Sequence, residues 1–92
     1  MAYVYILKLI NNHYYVGSCR DINKRLKQHN QGYVVSTKNK RPFTVMYIKL
    51  FSNYRTAYKE EQRIKNWKKR KSIENLYNND LENIAIKNGP IV

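Results

Sequence analysis

The pattern of apolar positions near the N-terminus predicts a β-hairpin. Residues 3–10 are almost all β-branched or aromatic, as is typical of a strand, and a second such run covers residues 14–18. Between them, Asn11, Asn12 and His13 form the predicted turn, because Asn tolerates the positive φ that tight hairpins need. Successive side chains of each strand point to opposite faces of the sheet.

The length of this turn decides whether Tyr5 and Tyr15 share a face. A three-residue loop over 11–13 pairs Tyr15 with Leu9 and places both tyrosines on one face. A two-residue loop pairs Tyr15 with Lys8 and places them on opposite faces. The sequence leaves both registers open.

A helical period follows the hairpin. Asp21 is the predicted N-cap and Gly32 the predicted C-terminal stop. The apolar stripe between them consists of Ile22, Leu26 and His29. Arg25 borders this stripe on the helical wheel, so both Arg25 and His29 are expected to face the sheet.

The rest of the chain predicts one more strand and two more helices. Residues 33–42 form a loop, and residues 43–51 form a third strand whose two apolar faces suggest a position that is central in the sheet or well covered. A helix is expected over about 54–70, starting near Asn53 or Thr56, and a shorter one over 71–78. The predicted fold class is therefore α/β, with a small three-stranded sheet (the N-terminal hairpin plus a third central strand) flanked by about three helices.

Glu61 interrupts the apolar stripe of the second predicted helix. That inward stripe consists of Tyr54, Ala57, Glu61, Ile64 and Lys68. A buried carboxylate is costly unless it is paired or binds a metal, so Glu61 either pairs with Arg25 or holds a cation. The apolar side of the third helix comprises Ile73, Leu76 and Tyr77. In the tail, residues 79–92, the candidates for packing are Leu81, Ile84 and Ile86, before Gly89-Pro90 ends regular structure.

Composition indicates a folded domain that binds a polyanion. The chain has 92 residues, enough for a single domain with one modest core. Its 42% hydrophobic and 13% aromatic residues are not typical of disorder. The net charge of +12 favours nucleic acid as the partner and an anionic membrane surface second. Basic residues are concentrated in 20–41 and 59–71, whereas residues 72–92 are net acidic.

Other protein classes are excluded by missing motifs. The sequence has neither a signal-peptide pattern nor an apolar run long enough to span a membrane. The single cysteine, Cys19, has no internal disulfide partner, which suits a reducing, cytoplasmic environment. One Cys and two His make no zinc site, and no glycine-rich phosphate loop is present.

The ordered series of these residues resembles the single-domain GIY-YIG nucleases, of the small stand-alone type found in bacteria and some viruses. Tyr3-Val4-Tyr5 and Tyr15-Val16-Gly17 correspond to the two signature elements, with Tyr3 where many members have glycine. Arg25 and His29 follow at the family's spacing, and the run from Glu61 to Trp67 resembles the stretch with the metal-binding glutamate. The resemblance covers about residues 3–77 and implies a GIY-YIG-like domain over 1–92.

Two features of the family are altered or ambiguous in this chain. Ser36-Thr37 stands where many small members have Tyr-Thr, so one accessory hydroxyl is expected to be missing. Members also often have a late asparagine that helps to hold the site, for which the candidates are Asn75, Asn78 and Asn79.

The resemblance implies a metal-dependent DNA endonuclease that leaves 5′-phosphate and 3′-hydroxyl ends. Glu61 would hold one Mg²⁺ (or Mn²⁺), and Arg25 would clamp the phosphate oxygens. Tyr5 would act as general base or orient the attacking water. His29 would orient Tyr5 or relay its proton, and Tyr15 would hydrogen-bond water or phosphate.

Nucleic-acid binding is expected at the basic and aromatic residues outside this cluster. These are Lys24, Lys38, Lys40, Arg41, Lys65, Trp67, Lys68 and Lys69. Trp67 either stacks on an exposed base or packs against the third helix. We expect weak sequence preference and single-stranded or branched DNA as substrate, with RNA left open. The alternative function is a non-catalytic nucleic-acid-binding module on the same fold.

Overall fold

The computed structural model describes residues 1–85 and forms a three-stranded antiparallel sheet with three α-helices. The strands are β1 (Ala2–Lys8), β2 (Tyr14–Cys19) and β3 (Thr44–Phe51). The helices are α1 (Ile22–Asn30), α2 (Tyr54–Lys65) and α3 (Arg70–Asn79). A 3₁₀ turn at Lys38–Lys40 precedes β3. Within residues 1–85, none of the helices has the length and apolar character needed to cross a bilayer.

The predicted fold class is confirmed, but the central position predicted for the third strand is wrong. The strand order is β2-β1-β3, so β1 lies in the middle and β3 at an edge. An edge strand can also be apolar on both faces when helices cover both sides of the sheet. Here Val45 and Ile48 pack into a cluster on one face and Tyr47 into a cluster on the other.

The hairpin register places Tyr5 and Tyr15 on the same face. Tyr15 pairs with Leu7 and Tyr14 with Lys8, so the loop spans residues 9–13 and both predicted pairings of Tyr15 are wrong. The observed register is displaced by two residues from that of the three-residue loop, and a shift of two leaves every side chain on its face.

The first helix begins and ends as predicted. The Asp21 side chain accepts a hydrogen bond from the Lys24 backbone N–H at 3.1 Å, which satisfies one of the free donors at the start of α1. Gly32, at φ +82°, provides the left-handed residue that follows the last turn. His29 and Leu26 are buried against the sheet.

The second helix is shorter than predicted. Asn53 caps it by accepting from the Thr56 backbone N–H at 2.8 Å, and Asn66 ends it. The predicted inward stripe is therefore wrong at its two ends: Tyr54 is 37% exposed, and Lys68 lies exposed beyond the helix. Because α2 ends early, the chain turns at 66–69 and α3 then packs against the same face of the sheet as α2.

The segment after α3 is fixed by an asparagine that the sequence did not single out. Asn83 is 1% exposed and accepts from the Ile48 backbone N–H at 3.0 Å. It also donates to the carbonyls of Met46 and Tyr77 at 2.9 and 3.0 Å. The same segment therefore holds β3 to the end of α3.

The other predictions for this segment have mixed outcomes. Asn75, Asn78 and Asn79, the candidates for the late-asparagine role, are all exposed. Ile84 packs as predicted, whereas Leu81 is 86% exposed. Ile86 and Gly89-Pro90 lie outside the described residues.

Candidate active site

A chain of hydrogen bonds crosses from β1 to α1 and on to the loop before β3. The Tyr5 hydroxyl lies 2.8 Å from Nε2 of His29. The other ring nitrogen of His29, Nδ1, lies 2.9 Å from Oγ1 of Thr37. All three side chains are fully buried, so this geometry is set by packing as well as by the hydrogen bonds.

The outer contacts give this chain a consistent direction. Arg25 donates from Nε to the Tyr5 oxygen at 3.2 Å, and Thr37 donates to the Val34 carbonyl at 3.4 Å. The Tyr5 O–H is then directed to Nε2 of His29, and Nδ1–H of His29 to Thr37. Because the partner of one imidazole nitrogen sets the role of the other, Thr37 presents Nε2 to Tyr5 as an acceptor.

Protonation states follow from burial. Burial, with a smaller contribution from the neighbouring Arg25 charge, lowers the pKa of His29 to about 4, so the imidazole is neutral at pH 7. Burial also raises the pKa of Tyr5, and the hydrogen bond from Arg25 opposes this without overcoming it. The resting pair is therefore a neutral phenol donating to a neutral imidazole.

Tyr15 and Arg25 complete the cluster on this face. The Tyr15 ring lies 6.2 Å from the Tyr5 ring and 4.9 Å from the His29 ring, measured between centroids. The hydrogen bond with Tyr5 raises the pKa of Arg25 and keeps it a cation. Arg25 also donates to Gln28 at 3.4 Å, and these contacts use only part of the five N–H donors of a guanidinium.

Glu61 is held at the same strand from the other face of the sheet. The carboxylate is 7% exposed and accepts from the Ser18 hydroxyl at 2.6 Å. Its second oxygen forms an ion pair with Lys65 at 2.7 Å and accepts from the Gln62 amide at 3.2 Å. The ion pair considered for Glu61 at the sequence level was with Arg25; the structure places Lys65 there.

The Tyr5 phenol and the Glu61 carboxylate both contact β2, an edge strand of the sheet, from its opposite faces. Tyr5 pairs with Gly17 across the sheet and its ring lies over that glycine. The next residue, Ser18, holds Glu61 from the opposite face. The hydrogen bond to Glu61 raises the pKa of Lys65, and the Tyr15 phenol adds a smaller effect in the same direction. Two adjacent residues of one edge strand thus position the phenol and the carboxylate.

The residues at this edge fit a magnesium ion but not a closed metal cage. Within residues 1–85, no group of three or more His, Cys, Asp or Glu side chains could enclose a metal. Mg²⁺ keeps several waters and is commonly bound by one or two carboxylates plus substrate phosphate, so one buried carboxylate with a neighbouring hydroxyl suits it. Glu61 is the residue that would hold it, and Lys65 now bonds to one of its two oxygens.

The residues predicted to contact nucleic acid differ in exposure and in the contacts that they make. Lys24, Lys38, Lys68 and Lys69 are exposed, and Lys40 is partly buried. The guanidinium of Arg41 is committed to the backbone, donating to the Lys38 and Asn30 carbonyls at 2.8 and 2.9 Å. The Trp67 ring packs against the core cluster of α2 and α3 and is covered on one face by Arg63, 4.9 Å from its centroid.

The sequence analysis did not assign three residues the roles that they have at this site. Thr37 orients His29, whereas the neighbouring Ser36 is exposed and stands apart from the chain of hydrogen bonds. Ser18 and Lys65 are the polar partners of Glu61. Helical spacing gave a signal for Lys65, four residues after Glu61 on the same face. Ser18 and Thr37 gave no signal: Ser18 contacts a helix 43 residues later, and Thr37 reaches His29 through an irregular loop that has no sequence period.

Comparison with known proteins identifies a family and several relatives to which the chain is similar. A family model of the GIY-YIG catalytic domain matches residues 1–78. A UPF0213 protein of Bacillus pumilus is 36% identical over 70 residues, which cover 75% of this chain and 71% of the relative. A UPF0213 protein of Staphylococcus saprophyticus is 35% identical over 72 residues, which cover 77% of this chain and 88% of the relative.

A solved structure supports the same fold. The solution NMR structure of a UPF0213 protein from Bacillus halodurans superposes with a TM-score of 0.54 and is 28% identical. The superposition covers 98% of this chain and 89% of that one. The family match includes the phenols, the guanidinium, the imidazole and the carboxylate described above. The chain belongs to the GIY-YIG family of nucleases.

Proposed function

We propose that this protein is a metal-dependent endonuclease that hydrolyses DNA phosphodiester bonds and leaves 5′-phosphate and 3′-hydroxyl ends. The observation that carries the proposal is the directed chain from Arg25 through Tyr5 to His29, set beside Glu61 at the edge of β2. Phosphodiester hydrolysis needs an activated water, a clamp for the phosphate and a countercharge for the leaving oxygen. Each need has a candidate residue here.

Tyr5 and His29 together serve as the base. The Tyr5 oxygen takes a proton from the attacking water while its own proton passes to Nε2 of His29. A free phenolate is not required, which matters because burial raises the pKa of Tyr5. An anionic phosphate bound nearby favours the positive charge that forms on His29.

The phosphate is bound by Arg25 and the metal ligand is Glu61. The guanidinium donates to the non-bridging oxygens, for which its planar fork is suited. Glu61 would hold Mg²⁺ or Mn²⁺, and the bound ion would supply countercharge to the phosphate and to the leaving 3′ oxygen. Tyr15 lies beside both rings of the base and hydrogen-bonds the water or the phosphate.

Labelled DNA cleavage tests this function directly. Single-stranded, duplex and branched DNA are incubated with Mg²⁺ or Mn²⁺ and with EDTA. We expect metal-dependent nicks with weak sequence preference, favouring single-stranded or branched DNA, and a strong loss of binding with salt. Tyr5→Phe should lower the rate at least about 100-fold, as expected for the loss of a general base. Cleavage that persists in EDTA and in Glu61→Gln would overturn the metal mechanism.

A non-catalytic binding module is the second candidate, favoured by the ammonium of Lys65 on a Glu61 oxygen. In that case no DNA is cut with any metal, and DNA binding is unchanged by Glu61→Gln. RNA strands of the same sequence show which nucleic acid is preferred. The free, buried thiol of Cys19 supports a reducing, intracellular location for either function.

A further inference from the structure

One face of α2 carries two exposed tyrosines in line with the Glu61 carboxylate. Tyr54, Tyr58, Glu61 and Lys65 follow one another at spacings of four, three and four residues, which places them on one side of the helix. Tyr58 is 47% exposed and Tyr54 37%, although both are large aromatic side chains. Neither belongs to the two core clusters.

These rings are already arranged for stacking. Their centroids lie 6.3 Å apart with 27° between the planes. The guanidinium of Arg20 lies over the Tyr54 ring, 5.0 Å from its centroid. A ring held by its neighbours loses little conformational freedom when a ligand binds, so the exposed surface is pre-organised.

The tyrosines adjoin the proposed cleavage site. By helical rise, Tyr58 lies about 4.5 Å and Tyr54 about 10 Å from Glu61 along the axis. Arg20 directly follows β2, the strand whose Ser18 holds Glu61. Lys65, one turn after Glu61 on the same side of α2, forms an ion pair with that carboxylate at 2.7 Å, so a positive charge accompanies the exposed rings along this face.

The chemistry of this surface fits unpaired bases. Aromatic rings beside basic groups bind single strands, since every base offers a π-face and the backbone a negative charge. A duplex hides its base faces in the stack. The chain's net charge of +12 favours a polyanion over a neutral protein surface as the occupant.

We propose that Arg20, Tyr54 and Tyr58 form a stacking platform that binds the bases of single-stranded DNA next to the Glu61 site. The role of this platform in guiding a strand to the metal rests on the proposed nuclease function. Binding of the strand is independent of cleavage, so the stacking platform and the nuclease function can be refuted separately.

The test measures binding in EDTA, where cleavage plays no part. Fluorescence anisotropy follows a labelled thymidine strand of about 12 nucleotides, within the usual site size of such binders. Tyr58→Ala and Tyr54→Ala should each weaken binding about tenfold, the effect of losing one stacked base. Tyr58→Phe should bind like the wild type, because the ring stacks without its hydroxyl.

Three controls separate stacking from other causes. An abasic strand of equal length should bind the wild type weakly and show no further loss in Tyr58→Ala. Tyr33→Ala, which removes a 74% exposed tyrosine in the loop after α1, should leave binding unchanged. Thermal unfolding of the two variants should match the wild type, since both side chains are exposed.

Several results would overturn the platform. The first is unaltered single-strand binding in the Tyr54→Ala, Tyr58→Ala double variant. The second is an equal loss of binding to duplex and abasic DNA. The third is a wild-type protein that is a dimer in solution and variants that are monomers with DNA binding intact. That result would assign this face to contact between copies of the chain.

Discussion

The ring of Tyr5 occupies the space that a side chain at position 17 would fill. A Cβ built on Gly17 would lie 2.4 Å from the Tyr5 hydroxyl oxygen and 2.5 Å from Cζ. Both distances are too short for any real contact, so the glycine is required by the close approach of the phenol. The glycine of the second signature element, Gly17, thus has a steric reason: it lets Tyr5 cross β2 toward the edge where Glu61 is bound.

Gly17→Ala should therefore destabilise the protein and inactivate it. We expect a loss of about 1–3 kcal/mol in the free energy of unfolding, as for overpacking in a core. An alanine that fitted would instead stabilise the strand. Chemical denaturation measures the stability, and DNA cleavage the activity. In a Tyr5→Leu background, which lacks the end of the ring, the same substitution should cost less; an equal cost in both backgrounds would contradict the steric explanation.

Thr37→Val should impair the reaction while the fold persists. Valine has the shape of threonine without the hydroxyl, so Nδ1 of His29 loses its partner at 2.9 Å. The imidazole is then free to turn Nε2 away from Tyr5. We expect the cleavage rate to fall about 10- to 100-fold, equivalent to the cost of one unmet buried hydrogen bond. Thr37→Ser keeps the hydroxyl and is the matched control, with a rate near that of the wild type.

The free energy of unfolding should decrease as the pH is lowered through a window set by the pKa values of His29. Its pKa is about 4 in the folded protein and 6.5 in the unfolded chain, so between these values only the unfolded chain binds the proton. Stability from the neutral, buried imidazole is therefore complete above pH 6.5 and is lost as the pH falls toward 4. The loss amounts to about 3 kcal/mol.

Comparison of variants separates the contribution of His29 to the pH dependence of stability from that of the carboxylates. Urea unfolding between pH 4.5 and 7.5 should show a shallower decline for His29→Gln than for the wild type. His13→Gln, in the exposed hairpin loop, serves as the control and should decline like the wild type. Parallel curves for all three proteins would show that His29 does not titrate in this window.

Lys65 should compete with a metal ion for Glu61. The ammonium bonds to one carboxylate oxygen at 2.7 Å, and its removal leaves that oxygen free for a cation. We expect Lys65→Ala to bind Mn²⁺ a few-fold more tightly, the range expected for a partly exposed ion pair. Calorimetric titration of the DNA-free protein measures this affinity.

Two variants complete the comparison at this carboxylate. Lys68→Ala removes a nearby exposed charge beyond the helix and should leave the Mn²⁺ affinity close to that of the wild type. Glu61→Gln should abolish Mn²⁺ binding, while DNA binding in EDTA is retained. Weaker Mn²⁺ binding by Lys65→Ala would contradict competition and make Lys65 a supporting group.

The sequence by itself determined the elements and the residue types of the candidate site. Strand and helix periods are local properties, so β1, β2, α1 and the burial of Glu61 followed from spacing alone. Asp21 and Gly32 marked the ends of α1 because caps act within a few residues. The boundary of α2 was not local in this sense, since it depends on how α3 returns to the sheet.

Tertiary structure decided how these groups are joined. The face of Tyr15 depended on a loop that was longer than either alternative considered, and the order of the strands on pairing across the whole chain. Thr37 reaches His29, Ser18 reaches Glu61 and Asn83 reaches β3 only because the chain folds back on itself. Such contacts join residues of different elements and loops, and the pattern of residues along the chain does not show which of these elements and loops will pack together.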